Sequence, residues 1–240
     1  RLSLVGSEMC IRDSLSDDQG WRVEIKSLPR LTDVGAWRAP RVGNWWEREP
    51  QSVTDSLTYG GFYTQDDIRE VVEYARERFI TVVPEIDVPG HSMALLTAYP
   101  EISCTGGPFH VNVGNTFYTK EENSLCVGKE KTFAILDMIF DELVDLFPSS
   151  YIHIGGDECY KGFWAKCPDC RARMSSKQLQ NVEELQSYFV KRVASHIQSK
   201  GKHVIGWDEI LEGGLAKDAI VMSWRGMKGG VEAARQGHRV

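Results

Sequence analysis

The sequence predicts an α/β fold of the (β/α)8, TIM-barrel type. Short β-branched runs alternate with amphipathic helical segments, the rhythm of a parallel sheet. Four successive runs deliver polar or aromatic groups to their C-terminal ends, at Glu85-Ile-Asp87, Asp157-Glu158, Trp207-Asp-Glu209 and Trp224-Arg225. That is how a barrel rim is furnished. An open doubly wound sheet would concentrate its site at one switch point, usually with a Gly-rich phosphate loop, and no GxGxxG or Walker sequence is present.

The first long segment, 17–63, reads as irregular and carries Trp21, Trp37, Trp45 and Trp46. Long irregular segments in compact domains are usually functional. Indoles can stack on sugar faces, but packing of the loop onto the rim is the favoured reading for most of these four. Residues 66–78 have Ile68, Val71, Val72 and Ala75 at helical spacing, with Thr64 or Asp66 as cap. Residues 80–86 are a short apolar, β-branched run and read as a buried strand. A second helix is predicted over 131–146, its apolar face made by Phe133, Ile135, Leu136, Ile139, Phe140, Leu143 and Leu146, with Pro148 as the stop. The strand beginning at Tyr151 follows. A third helix over 182–200 ends at Gly201 and leads to a strand over 203–207. A strand over 219–224, a helix over 229–236 and the start of a further strand at 238–240 complete the pattern.

Composition narrows the function. The chain has 240 residues and a formal net charge of −6, which gives no reason to expect nucleic acid as a partner. No apolar run approaches the roughly 20 residues that span a bilayer, so no membrane insertion is expected. Six cysteines do not make a disulfide scaffold at this length. Cys167-Pro-Asp-Cys170 is a single CxxC, and zinc usually needs four ligands. A local disulfide or two reduced cysteines in a loop is the expectation there, and Cys104 and Cys126, which flank a Gly-rich loop, could pair. His91, His110 and His153 lack metal-ligand spacing such as HxH or HExxH, so no metal and no cofactor is expected.

The chemistry centres on Tyr151-Ile-His-Ile-Gly-Gly-Asp-Glu158, a β-branched run that stops at two glycines and then presents two adjacent carboxylates. Acids at the C-terminal end of a barrel strand read as chemistry rather than packing. His153 lies inside the run and reads as a core or supporting histidine.

His153-Ile-Gly-Gly-Asp157-Glu158 resembles the signature of the family 20 glycoside hydrolases, the β-N-acetylhexosaminidases. Leu15-Ser-Asp-Asp-Gln-Gly-Trp21, Pro84-Glu-Ile-Asp-Val-Pro-Gly-His91, Trp207-Asp-Glu209 and Ser223-Trp-Arg-Gly226 resemble the family's segments after the second, third, fifth and sixth barrel strands, in register from Leu15 to Val240. The resemblance implies an exo-acting, retaining enzyme that releases terminal β-linked N-acetylglucosamine or N-acetylgalactosamine. Such enzymes use the substrate's own 2-acetamido oxygen as nucleophile, outside the two-carboxylate scheme. It makes Glu158 the general acid and then base, which calls for a carboxyl held toward neutrality. It makes Asp157 the group that orients the acetamide N–H. Asp17 and His91 would hold or tune Glu158, and Trp207 and Trp224 would wall the acetamido pocket. One of Glu85 and Asp87 could point inward, with salt bridging the competing reading. Asp208 and Glu209 are divided between sugar contact and loop bracing, and His110, Asn112 and Tyr160 are candidate contacts without a sharp role. A glycan-binding relative without activity, a truncated non-functional fragment and an endo-acting chitinase are the competing readings. Oligomeric state is not readable.

The chain departs from the family pattern in three places. The substrate-gripping arginine after the first strand has no counterpart, and the segments of the seventh and eighth strands would lie beyond Val240. An incomplete barrel, lacking its first and last strands, is therefore expected, poorly soluble or partly molten alone because of its open strand edges. A sharp cooperative melt of the purified chain would contradict this. Residues 1–14 lack the expected apolar strand and read as a foreign segment joined to the catalytic part, 15–240. The family's habit and the bacterial style of the chain suggest a periplasmic or extracellular location.

Overall fold

The computed structural model describes residues 15–114 and 121–240, with the side chain of Trp45 excepted; the expectation for residues 1–14 lies outside the described residues. The elements in chain order are α1 (Arg30–Asp33), β1 (Trp37–Arg38), β2 (Tyr59–Gly60), α2 (Gln65–Arg76), α3 (Met93–Ala98), α4 (Glu130–Leu146), β3 (Tyr151–His153), α5 (Gly162–Lys166), α6 (Pro168–Lys177), α7 (Val182–Ser199), β4 (His203–Trp207), β5 (Ile220–Met222) and α8 (Met227–Arg235). Short 3-10 turns lie at Trp45–Glu47, Pro100–Ile102 and Asp208–Leu211.

The parallel wall follows chain order. β3 pairs with β4 (Ile152 opposite Val204) and β4 with β5 (Gly206 opposite Val221), all parallel. On the other side of β3, Glu85 bridges His153, and the Ile86 and Val88 amides donate to the carbonyls of His153 and Ile154. Beyond β5, the Val221 amide donates to Arg239 O, a single bond at the segment 238–240, where a strand was expected to begin and no ladder is formed. Parallel neighbours in sequence order, with α4 and α7 as crossovers, are wall strands of the (β/α)8 barrel.

The two crossovers form as their sequences dictate. In α4 the residues Phe133, Ile135, Leu136, Ile139, Phe140, Leu143 and Leu146 recur at helical spacing and are all buried. The helix ends because Phe147, held extended at φ −112° and ψ 113°, precedes Pro148, whose ring excludes the helical conformation from the residue before it. In α7 the Asn181 side chain accepts from the Glu184 amide, and Leu185, Phe189, Val193 and Ile197 face the core. α2 opens on a capping box, with Thr64 and Asp67 each accepting from the other's amide.

Three expectations need correction. Residues 80–86 are not a buried ladder: regular hydrogen bonding to β3 begins only at Pro84, and Phe79 is 99 % and Ile80 60 % exposed. A continuous apolar run does not reveal where pairing begins. Residues 162–177, which carried no helical signal, form α5 and α6, so Cys167 and Cys170 sit at a helix start rather than in a loop. The segment 17–63, read as irregular throughout, contains α1 and the antiparallel pair of β1 with β2, and two of its indoles are used for packing. Trp21 is buried with Nε1 donating to Val23 O, and Trp37 Nε1 donates to Thr32 O. Trp46 is exposed. Glu142 of α4 ties this segment down by accepting from the Lys26 and Ser27 amides.

The burial pattern makes a direct prediction. Phe140→Ala removes a fully buried ring from the α4 face and should cost about 3–5 kcal/mol. Val71→Ala, on the half-exposed flank of α2, should change stability by less than about 0.5 kcal/mol. Denaturant titration of both variants checks the contrast.

Candidate active site

The site is built where the segment after Glu85 meets the segment after β3. Gly155 and Gly156 have φ of +66° and +96°, a region that costs glycine little. A Cβ on Gly155 would lie 1.8 Å from Asp87 Oδ1, so the glycine is what admits that carboxyl into the wall. The Gly156 amide then donates to Asp87 Oδ1 at 3.2 Å. Asp87 is buried, and among the described residues Glu85, two residues before it, meets Trp207 and His153 rather than a lysine or arginine. Burial first, and then the charge of Asp157 beside it, hold the Asp87 carboxyl well above the usual carboxylate range. A hydrogen bond between the two side chains adds to the rise of the Asp87 carboxyl. Asp157 Oδ1 is buried and has no partner among the described residues.

His91 stands between the acids. Its Nε2 lies 3.4 Å from Glu158 Oε2, and its Nδ1 lies 3.2 Å from Asp18 Oδ2 and 3.6 Å from Asp17 Oδ1. Burial opposes charge on this imidazole, but the hydrogen bond to Asp18 and the charges of Asp87, Asp18 and Asp17 outweigh it, and its pKa is pushed up to about 10. His91 and Glu158 each adopt φ +45°, a left-handed conformation uncommon for such residues and concentrated at functional sites. Glu158 remains 50 % exposed.

Asp18, not singled out in the sequence, is the closer partner of His91. It is fully buried, and besides His91 it accepts from the Met93 amide at 3.0 Å and from Asn123 Nδ2 at 3.1 Å. Asp17 accepts from the Asp18 amide. Adjacent acids cannot be told apart by type, and only the fold decides which one faces inward.

The tryptophans differ. Trp207 is 9 % exposed and packs edge-on against His153, with ring centroids 4.6 Å apart; its Nε1 donates to Glu85 Oε1 at 3.1 Å. His153 is buried, with Nδ1 3.2 Å from Glu85 Oε1, the supporting place expected of it. Trp224 is 50 % exposed and is held by its Nε1 donating to Glu209 Oε2 at 3.0 Å. Asp208 accepts from the Trp224 amide and pairs with Arg225 Nε at 2.8 Å. Asp208 and Glu209 therefore brace the Trp224 turn. Burial opposes ionisation of Asp208, but the Arg225 hydrogen bond and two backbone amides hold its carboxyl below the usual range. His110 and Asn112 line a cavity of about 340 Å³ that does not include the acid pair, and Tyr160 packs on Phe163.

A barrel whose C-terminal rim presents adjacent acids, a histidine held by carboxylates and indoles belongs to the class of α/β-barrel enzymes. The model of glycosyl hydrolase family 20, catalytic domain, matches residues 14–240. A β-hexosaminidase of Porphyromonas gingivalis is 46 % identical over 226 residues, covering 94 % of this chain and 27 % of that protein. One from Vibrio furnissii is 41 % identical, covering 94 % and 36 %. Among solved structures, the GH20 exo-β-N-acetylglucosaminidase of Vibrio harveyi in complex with N-acetylglucosamine superposes with a TM-score of 0.78 at 35 % identity, covering 93 % of this chain and 34 % of that one. The β-N-acetylhexosaminidase of Bacteroides fragilis gives 0.76 at 35 %, covering 93 % and 42 %. The chain belongs to glycosyl hydrolase family 20, and it spans between 27 % and 42 % of the length of these relatives.

The charge on His91 can be checked directly. Its folded-state pKa lies above the ordinary value of about 6.5, so the stability it contributes is fully present below that pH and is lost as pH rises through about 10. Nitrogen-15 NMR of the imidazole should show an imidazolium at pH 8, and Asp18→Asn should move its titration to lower pH. A neutral ring at pH 8 in the unaltered chain would refute the assignment.

Proposed function

We propose that the chain is the catalytic part of an exo-acting, retaining glycosidase. It would remove terminal non-reducing β-linked N-acetylglucosamine or N-acetylgalactosamine from glycans or chito-oligosaccharides by substrate-assisted catalysis. The observation that carries the proposal is the contrast between neighbouring acids. Asp157 keeps a buried, unpartnered Oδ1, suited to accept an acetamide N–H, while Glu158 is open to solvent and faces His91. The names of the similar β-hexosaminidases, and the N-acetylglucosamine bound to the Vibrio harveyi enzyme, support the same reading.

In this scheme Glu158 protonates the departing glycosidic oxygen. As its proton leaves, the growing carboxylate charge meets the imidazolium of His91 3.4 Å away, which stabilises the transition state electrostatically. The acetamide oxygen attacks the anomeric carbon, and Asp157 takes up the positive charge that develops on the acetamide nitrogen. Trp207 and Trp224 would wall the acetamide, holding it in a near-attack geometry. Glu158, now a carboxylate, removes a proton from the water that opens the cyclic intermediate and returns the β-configured sugar. On the family's habit, we further propose a periplasmic or extracellular site of action.

Release of a chromogenic aglycone and of single sugars from chitobiose tests this. Glu158→Gln should lower kcat on chitobiose by about 10²–10⁴-fold, and by less on a nitrophenyl glycoside, whose leaving group needs little protonation. Replacing the substrate's acetamide methyl by trifluoromethyl should slow the first step by drawing electrons from the attacking oxygen. Equal turnover by the parent and Glu158→Gln, or indifference to trifluoromethyl, would sink the proposal. Sugar binding with no turnover would favour the glycan-binding alternative.

A further inference from the structure

Four cysteines far apart in sequence converge on one point away from the acid pair. Cys104 follows the Pro100–Ile102 turn, Cys126 precedes α4, Cys167 is the N-cap of α6 and Cys170 lies in its first turn. Their four sulfur atoms all lie within 4.8 Å of one another. Three of the separations are 3.8 Å (Cys104–Cys170), 3.7 Å (Cys126–Cys167) and 3.6 Å (Cys126–Cys170). The sequence suggested two separate pairs; the fold makes one cluster.

Those separations decide between two chemistries. Sulfur atoms in a disulfide lie about 2.05 Å apart. Four thiolates bound to zinc at about 2.3 Å form a tetrahedron whose edges are about 3.8 Å. We infer that Cys104, Cys126, Cys167 and Cys170 form a structural site for one divalent, thiophilic metal ion, zinc in the first instance. Four sulfurs close the coordination sphere, so the site would hold structure rather than act on substrate. Binding is an exchange without redox change: each thiol gives its proton to solvent as a zinc–sulfur bond forms.

The surroundings suit thiolates. Cys126, Cys167 and Cys170 are buried, and thiol S–H groups are weak donors that compensate each other poorly. Cys167 and Cys170 stand at the N-terminus of α6, ten residues long, where the helix dipole is positive. Gly128 matters to the closure: a Cβ there would lie 2.2 Å from the Asp169 carbonyl carbon and 2.4 Å from the Cys170 nitrogen. Only a glycine lets the turn after Cys126 dock on the Cys-Pro-Asp-Cys turn. Glu122 fixes the remaining ligand by accepting from the Cys104 amide.

The metal would pin both ends of the segment between Cys104 and Cys126. From this segment the Asn112 amide donates to Asp18 O, and Asn123 Nδ2 donates to Asp18 Oδ2. The site thus braces, at one remove, the carboxylate that orients His91.

The test is metal content of the chain purified under reducing conditions with zinc present, by elemental mass spectrometry. One zinc per chain is expected, and also in Cys159→Ser, whose sulfur is outside the cluster. Cobalt substituted for zinc should give the intense sulfur-to-cobalt charge-transfer band and visible bands of a tetrahedral thiolate site, which needs no variant to fold. Cys170→Ser should lose zinc or weaken the charge-transfer band by about a quarter, one of four sulfurs being gone. A metal-free chain in which all six thiols titrate, or disulfides among these four cysteines in the non-reduced protein, would overturn the inference.

Discussion

The rim depends on one close approach: the Asp87 carboxyl occupies the space that a side chain on Gly155 would fill. This contact brings the segment after Glu85 against the segment after β3. Everything polar at the rim follows from it. With Asp87 in place, Asp157 has a neighbouring carboxyl held above the usual range, and His91, four residues further on, comes within reach of Glu158. Larger residues at 155 would push the two segments apart by more than a side chain can absorb, because the contact is with a carboxyl already hydrogen-bonded to the Gly156 amide.

The same packing creates an electrostatic problem and resolves it. Asp17, Asp18, Asp87 and Asp157 crowd around one imidazole. Buried like charges are costly unless neutralised. Here burial and the neighbouring acids hold the Asp87 carboxyl well above the usual range and His91 is held as an imidazolium, so the cluster carries less charge than its four carboxylates suggest. A histidine held as imidazolium by neighbouring acids presents a fixed positive charge to Glu158, which is more open to solvent than Asp17 or Asp18. The arrangement separates the functions of two consecutive residues. Glu158, in a left-handed conformation, turns away from Asp157, so one carboxyl reaches solvent while the other stays beneath the rim.

Much of this was legible in the sequence, for identifiable reasons. α4, α7 and β4 fall within a residue or two of their predicted bounds because burial is written at clear periods and the ends carry Pro148, Asn181 and Gly201. The acid pair was legible because two glycines interrupt a β-branched run. α5 and α6 were not, since only Trp164, Cys167 and Cys170 of their stretch are buried, too few to set a helical period. Asp18 hid beside Asp17, and the inward turn of Asp87 depends on the void at Gly155, which no local pattern encodes. The cysteine cluster was invisible for a related reason, its ligands being separated by tens of residues and brought together only by the docking of α6 on the turn at Gly128.

Precision at the rim therefore rests on contacts made outside it. A general acid has to be placed to within a fraction of an ångström of the bond it protonates, and loops alone rarely hold a group so well. In this chain His91 follows a wall segment, but the carboxylate that orients it, Asp18, sits in an irregular stretch with no ladder of its own. Asp18 is fixed instead by hydrogen bonds from Met93, Asn112 and Asn123. Asn123 lies only three residues before Cys126, which packs against the start of α6, and α6 packs on the crossover helix α7. Rigidity passes from the helical layer through the sulfur cluster to Asp18, and from Asp18 to His91. The acid pair can then stand on short, glycine-rich turns, because the groups that position it are held by the layer behind.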